Sequence, residues 1–132
     1  MCIRDSTYME FQKRQVDDIG LTITSVNTSP DSVEIIASGP AGRYGNVFCT
    51  YILESFGGNS GFSHGNGRGF PDEGPMMTGN FVGLWRRDCN KIEIKQLVDI
   101  DNGDQNLDII TIDMHTKTVL IRSYILETAT LQ

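Results

Sequence analysis

"IKQLVDIDNGDQNLDIITID", residues 94–113, places the pair Asn102-Gly103 between two runs in which apolar and polar residues alternate. Asn-Gly is typical of a type I′ β-turn, because both central residues of that turn need a positive φ. The stretch therefore predicts an antiparallel hairpin. A two-residue loop would pair Asp101 with Asp104, Asp99 with Asn106, and Val98 with Leu107.

The preceding segment predicts a second hairpin that shares one strand with the first. A turn at Cys89-Asn90 pairs Arg86 with Glu93, Trp85 with Ile94, and Phe81 with Val98. Both registers assign the same residues to each face, since side chains alternate along a strand. The predicted core face holds Phe81, Trp85, Ile92, Ile94, Val98 and Ile100. The predicted outer face holds Arg86 and Glu93 as an ion pair, with Lys95, Asp99, Asp101 and the apolar Val82, Leu84 and Leu97.

The apolar residues of segment 104–114 change face part of the way along. Leu107 and Ile109 have one parity, whereas Ile110, Ile112 and Met114 have the other. A β-bulge near residues 109–110 would return the apolar side chains to the core and bend the strand. Curved and closed sheets need such bends.

The whole chain from residue 20 onward has the composition of short strands separated by turn residues. The candidate strands lie near residues 21–28, 32–38, 44–55, 61–70, 76–88, 91–101, 104–114 and 118–127. The connections are too short for crossover helices, so neighbouring strands should pair antiparallel. We predict an all-β fold, an up-and-down meander of about eight strands that closes into a small barrel, with a β-sandwich as the alternative.

The domain organisation follows from the same pattern. Residues 1–19 form an N-terminal segment and residues 20–132 a single β-barrel domain. The first six residues, MCIRDS, resemble a string that recurs at the start of reading frames translated from environmental assemblies, and we treat them as a sequence artefact. Three cysteines without metal-type spacing predict free thiols, with a Cys49–Cys89 disulfide as the alternative. With no signal peptide we expect a cytoplasmic protein.

Charge and hydropathy narrow the classes of partner. The net charge of -6 argues against a nucleic-acid partner, because binding to phosphates needs clustered Lys and Arg. No apolar run is long enough for a membrane span, so we expect no membrane partner. The acidic residues of segment 99–108 do not have EF-hand spacing, so we expect a solvated hairpin and no metal site.

A glycine-rich segment, GGNSGFSHGNGRGFPDEG at residues 57–74, contains His64, Arg68, Asp72 and Glu73. It lacks the Gly-Lys-Ser/Thr of a phosphate-binding loop, and no helical pattern follows it. Three interpretations stay open: a catalytic loop, a loop that gates a ligand site, and a structural connection. As a catalytic loop it would fold over the barrel mouth, with His64, Asp72 and Glu73 as acid–base residues and Arg68 binding an anionic group.

Residues expected inside the barrel supply the remaining candidates. Gly83-Leu84-Trp85 resembles the Gly-x-Trp of lipocalin-like barrels, where it belongs to the first strand; here it lies past the middle of the chain. Arg87 and Gln96 share the parity of Trp85, so they should face inward. There they either meet partners near a barrel end or line a wet cavity, because unsatisfied buried polar groups are unfavourable.

These patterns lead to two hypotheses on function. The first is a barrel that binds a small, partly apolar molecule through Arg68, Trp85, Arg87 and Gln96, without a cofactor; whether proton-transfer chemistry follows, as in an isomerase or cyclase, stays open. The second is a structural or self-assembling β-protein. The outward Val82, Leu84 and Leu97 make a homo-oligomer the expected state under either hypothesis.

Overall fold

The computed structural model describes residues 15–55 and 58–128, which form eight β-strands. The strands are β1 (Gln15–Thr28), β2 (Ser32–Pro40), β3 (Asn46–Glu54), β4 (Ser60–Phe70), β5 (Met77–Asp88), β6 (Lys91–Ile100), β7 (Gln105–Asp113) and β8 (Thr118–Glu127). A short 3-10 turn, Gly42–Tyr44, precedes β3. The boundary predicted at residue 20 falls inside β1, and the MCIRDS segment lies outside the described residues.

The strands close into an antiparallel up-and-down barrel. Each strand pairs with its neighbour in sequence, and β1 pairs with β8 through contacts such as Ile19 with Ile121. This closure confirms the predicted barrel and excludes the sandwich. We call the end with the β2–β3, β4–β5 and β6–β7 turns the upper end, and the opposite one the lower end. Within the described ranges, no helix is long and apolar enough to cross a membrane.

The β5–β6 hairpin has the predicted register. Arg86 pairs with Glu93, Trp85 with Ile94, and Phe81 with Val98. Five of the six predicted core residues are buried and Ile92 packs partly against them, whereas Val82, Leu84 and Leu97 are exposed on the outer face. The charge partner of Glu93 is Lys95 on its own strand, at 3.5 Å between Oε1 and Nζ, where the sequence predicted Arg86.

The β6–β7 hairpin differs from its prediction by one residue. Asp99 pairs with Gln105 and Gln96 with Asp108. The turn is a three-residue loop, Asp101 to Gly103, in which the amide of Gly103 donates to the carbonyl of Ile100 at 2.9 Å. Gly103 has a φ of 100°, so the glycine takes the left-handed position and a type I′ pair is not formed.

This shift reverses the faces that the sequence predicted for the start of β7. Asn106 is buried and Asp108 lines the interior, whereas Leu107 and Ile109 lie on the outer face, half-buried. Pairing with β6 is regular through Ile110 and Ile112, so the bulge predicted near residues 109–110 is wrong. The change of parity in the sequence marks polar residues that enter the barrel.

The glycine-rich segment is mostly a strand, β4, and not a loop over the barrel mouth. Its inward positions hold only small residues: Gly61, Ser63, Gly65, Gly67 and Gly69. Large side chains from neighbouring strands use the space that results. The rings of Tyr51 and Phe81 lie 5.2 Å apart between centroids on either side of β4, and a Cβ on Gly65 would lie 2.7 Å from the Phe81 ring. The glycines are therefore needed for interior packing.

We expect Trp85→Ala to lower the free energy of unfolding by roughly 3–5 kcal/mol, as large core truncations do. Trp85 is 9% exposed, and its indole Nε1 donates to the carbonyl of Glu54 at 2.7 Å. The adjacent Leu84 is 59% exposed, so Leu84→Ala is a matched control with an expected effect within about 0.5 kcal/mol. Urea denaturation measures both, and equal losses would contradict the assigned faces.

Candidate functional site

A cavity of about 90 Å³ occupies the upper half of the barrel. The lower half is filled by large buried side chains, among them Trp85, Leu53, Ile94 and Ile112. The cavity extends from the middle of the barrel to residues at its upper end, such as Tyr44 and Met77. Most of its wall is apolar: Val47, Phe81, Val98, Ile100 and Ile121. A cavity of this size has room for about three water-sized groups, since water takes about 30 Å³ in the liquid.

The floor of the cavity is polar. Gln96 on β6, Asp108 on β7 and Ser123 on β8 face each other in one cross-strand row, because Gln96 pairs with Asp108 and Asp108 with Ser123. The row continues on β5 with Gly83, where a Cβ would lie 2.8 Å from the Cβ of Gln96. Gly83 thus leaves room for the Gln96 side chain inside the barrel.

Asp108 is the ionisable group of this floor. Part of the residue lines the cavity, yet it is shielded from bulk water, and this burial raises the pKa of its carboxyl group to about 6. Hydrogen bonds from Ser123 and Gln96 act in the opposite direction, because they favour the carboxylate. The Oδ1 atom is buried and has no hydrogen-bond partner among the described residues. The site thus holds a carboxyl group whose hydrogen-bonding capacity is incompletely used.

Cys49 and Tyr51 extend the polar floor from β3. They are two residues apart, so both face inward, and their side chains are hydrogen-bonded to each other. Burial raises the pKa of the Cys49 thiol to about 11 and also raises the pKa of the Tyr51 hydroxyl. Both groups are therefore neutral near pH 7, and Cys49 is not activated as a nucleophile.

A second polar cluster lies at the upper end, beside the cavity. Asp104 is 2% exposed, and its Oδ2 accepts from Arg43 Nη2 at 2.9 Å and from the Tyr44 hydroxyl at 2.8 Å. Asn106 Nδ2 donates to the same hydroxyl at 3.1 Å, which leaves its buried Oδ1 without a partner among the described residues. The cluster holds the 3-10 turn against the β6–β7 hairpin and places Tyr44 and Asn106 on the cavity wall.

Two of the four predicted ligand-binding residues line the cavity. Gln96 is 2% exposed on the floor, as expected. Arg68 contributes to the wall on β4, but its side chain is exposed and Nη1 donates to the carbonyl of Gly67 at 3.1 Å. Trp85 is packed in the lower half. Arg87 has the inward parity of Trp85 but lies at the lower end of β5, exposed and outside the cavity, with its Nε donating to the carbonyl of Cys89 at 3.2 Å.

The three predicted acid–base residues are not gathered around the cavity. His64 lies on the outer face of β4, with Nε2 at 3.7 Å from Glu54 Oε1 and a side chain that is 44% exposed. Asp72 and Glu73 are exposed in the turn between β4 and β5. Six strand residues separate His64 from the end of β4, which amounts to roughly 20 Å. An acid–base role shared by these residues stays a prediction that this geometry does not favour.

The residues that sequence reasoning missed are Asp108, Asn106, Cys49 and Tyr51. The first two were assigned to the outer face by the two-residue turn. The sequence signal for Asn106 and Asp108 was that the apolar residues of segment 104–114 change from odd to even positions. Such a change has two explanations: a β-bulge, or polar residues that point inward.

The acidic segment 99–108 does not form one cluster, since Asp104 and Asp108 face inward while Asp99 and Asp101 are exposed. No group of three possible metal ligands was found among the described residues.

We expect Asp108→Asn to stabilise the protein at neutral pH. The pKa of about 6 in the folded state lies above the ordinary value of 3.8, so the folded protein holds the proton more tightly than the unfolded chain. The contribution of Asp108 to the free energy of unfolding is fully favourable below about pH 4 and is lost as the pH rises through 6. At pH 7.5 the variant should gain up to roughly 3 kcal/mol in unfolding free energy, as about 1.4 kcal/mol per pKa unit implies.

The gain should disappear at pH 3.5, and denaturation curves at both pH values measure it. Asp99→Asn is the matched control, because Asp99 is an exposed carboxylate on the neighbouring strand. A pH-independent effect of Asp108→Asn would show that the buried carboxyl group has an ordinary pKa.

Comparison of the chain with protein-family models, with curated proteins and with solved structures gives no match.

Proposed function

We propose that this barrel binds a small, partly apolar molecule in its upper cavity. The observation that carries the proposal is the combination of an apolar wall with a polar floor that contains an incompletely hydrogen-bonded carboxyl group. Ligand sites typically have this composition, in which apolar surface supplies affinity and a few polar groups fix orientation. The polar end of the ligand meets Asp108 and Gln96, and its apolar body lies between Phe81 and Ile121.

The lining argues that the cavity is more than a packing defect. An empty packing void is typically lined by apolar groups, because a cavity with polar groups in its lining holds ordered water or a ligand. Here Asp108 and Asn106 each keep a buried oxygen without a partner among the described residues. Asp108 lines the cavity and is partly exposed, so its carboxyl group is the part of the lining that a hydrogen-bonding ligand would meet.

Proton-transfer chemistry, if the site performs it, belongs to Asp108. A group with a pKa of about 6 exchanges protons readily near neutral pH, which general acid–base catalysis requires. His64 lies on the outside of the barrel, so it is a poorer candidate for a reaction in the cavity.

Filling the cavity tests the proposal directly. A Cβ on Gly79 would make only ordinary contacts, at 3.6 Å from Ile100 Cγ1 and 3.7 Å from Val98 Cγ1, and Gly79 lines the cavity. We expect Gly79→Val to leave the fold intact and to weaken binding of 1-butanol at least tenfold, because its side chain occupies the same space. An NMR titration that follows methyl shifts of Ile121 and Val98 measures the affinity.

Gly20→Val is the matched control, because Gly20 is exposed on β1 and a Cβ there meets only Leu120 Cδ2 at 3.8 Å. It should bind 1-butanol like the unmodified protein. Absence of saturable cavity shifts in the unmodified protein would refute the proposal.

Self-association is a second candidate function, and the outer surface favours it. Phe62, Val82, Leu84 and Leu97 are each more than half exposed on adjacent strands β4 to β6, and we call them the outer apolar face. A second copy of the chain is the proposed partner. In a two-fold contact the same patch meets itself, so an uncharged centre with mixed charges at its rim is self-complementary. Lys95 and Glu93 supply such a rim.

We expect Val82→Lys combined with Leu97→Lys to dissociate this oligomer without unfolding the barrel, since both side chains point to solvent. Light scattering gives the mass, and circular dichroism checks the fold. Leu120→Lys is the control, because Leu120 is 57% exposed on β8, outside the outer apolar face. A monomeric mass for the unmodified protein at 100 μM, roughly the concentration at which weak dimers form, would contradict self-association.

A further inference from the structure

We infer that the polar group which the cavity recognises is a primary ammonium group, so that the barrel takes small alkylamines with the nitrogen at Asp108. This inference rests on the proposed binding function and specifies its ligand class. It depends on three features of the described residues: the acceptors that lack donors, the missing positive charge, and the size of the space.

Two acceptor atoms of residues that line the cavity lack donors. Asp108 Oδ1 and Asn106 Oδ1 are both buried without a hydrogen-bond partner among the described residues, and both residues line the cavity. Among the described residues, no buried side-chain nitrogen lacks a hydrogen-bond partner. A ligand group that bonds the Asp108 carboxylate must donate hydrogen bonds, and an ammonium group donates three.

The negative charge of Asp108 on the cavity floor also has no cationic partner among the described ion pairs. Asp104, the other buried carboxylate near the cavity, has Arg43 at 2.9 Å, whereas Asp108 has no cationic group among its described ion pairs. Arg68 is the cationic residue of the wall, and its exposed guanidinium hydrogen-bonds along its own strand. A buried charge needs a partner, and an ammonium ligand would be that partner. The net charge of -6 favours the approach of cations.

The groups around Asp108 leave it as the titrating member of the site near neutral pH. From β3 it is faced by Cys49 and Tyr51, whose pKa values are raised by burial, and from β6 and β8 by the neutral Gln96 and Ser123. The carboxylate is the form that pairs with a cation. Amine binding should therefore weaken as the pH falls through 6, where Asp108 takes up a proton.

The space sets the length of the ligand. About 90 Å³ corresponds to roughly three to five non-hydrogen atoms. With the nitrogen on the floor, such a chain runs along Phe81 and Val98 towards Tyr44 at the upper end. n-Butylamine matches this length, and 1-butanol is its neutral counterpart of the same shape.

The experiment compares n-butylamine with 1-butanol by NMR titration on the unmodified protein, Asp108→Asn and Asp99→Asn. We expect Asp108→Asn to weaken butylamine binding at least tenfold, and by a much larger factor than butanol binding, because only the amine loses a charge partner as well as a hydrogen bond. Asp99→Asn, which removes an exposed carboxylate, should change neither affinity. Between pH 7 and pH 5 the affinity for butylamine should fall about tenfold, in line with the fraction of ionised Asp108, and the affinity for butanol should change by a smaller factor.

The outcomes separate the inference from the proposal on which it rests. If butanol binds in the cavity and butylamine binds no more tightly, or if Asp108→Asn leaves butylamine binding unchanged, the amine assignment is wrong and cavity binding stands. If neither probe shifts the cavity residues, the proposed function itself fails. Butylamine binding that Asp99→Asn weakens equally would place the amine on the acidic surface and overturn the inference.

Discussion

Two hydrogen bonds in the turn between β6 and β7 determine which side chains of β7 enter the barrel. The amide of Ile100 donates to the carbonyl of Asp104, and the amide of Gly103 donates to the carbonyl of Ile100, each at 2.9 Å. They produce a three-residue loop. Because side chains alternate along a strand, a loop shorter by one residue would turn Asp108 outward and bring Leu107 inside. The polar floor of the cavity depends on this register.

The partners that hold this register come from distant parts of the chain. Asp101 is bonded to the backbone of Thr78 at the start of β5, with its amide 2.9 Å from the carbonyl oxygen. Asp104 is held by Arg43 and the Tyr44 hydroxyl from the turn before β3. Three segments thus converge at the upper end of the barrel. Their contacts satisfy a buried carboxylate that would otherwise be strongly unfavourable.

The environments of Asp104 and Asp108 show why one is structural and the other marks the candidate site. Asp104 accepts hydrogen bonds from an arginine and a tyrosine, so its charge is compensated within the protein. Asp108 has neutral neighbours, and burial raises its pKa to about 6. A perturbed, uncompensated carboxyl group beside a cavity is typical of functional sites. The small inward residues of β4 contribute by leaving interior space to Tyr51 and Phe81.

The sequence by itself determined the strands, their antiparallel order and the faces of β5 and β6, because turn residues and two-residue periodicity are local signals. It also identified Gln96 as a buried polar residue. It did not determine the β6–β7 register or the placement of Asp108, since Asn102-Gly103 is compatible with more than one loop length. Nor did it reveal that the glycines of β4 serve packing, because the rings that need the space lie on β3 and β5. Only the tertiary structure decided these points, because the groups that fix them are distant in sequence and meet when the barrel closes. The turn is fixed by Arg43 and Tyr44, and the glycines are required by Tyr51 and Phe81.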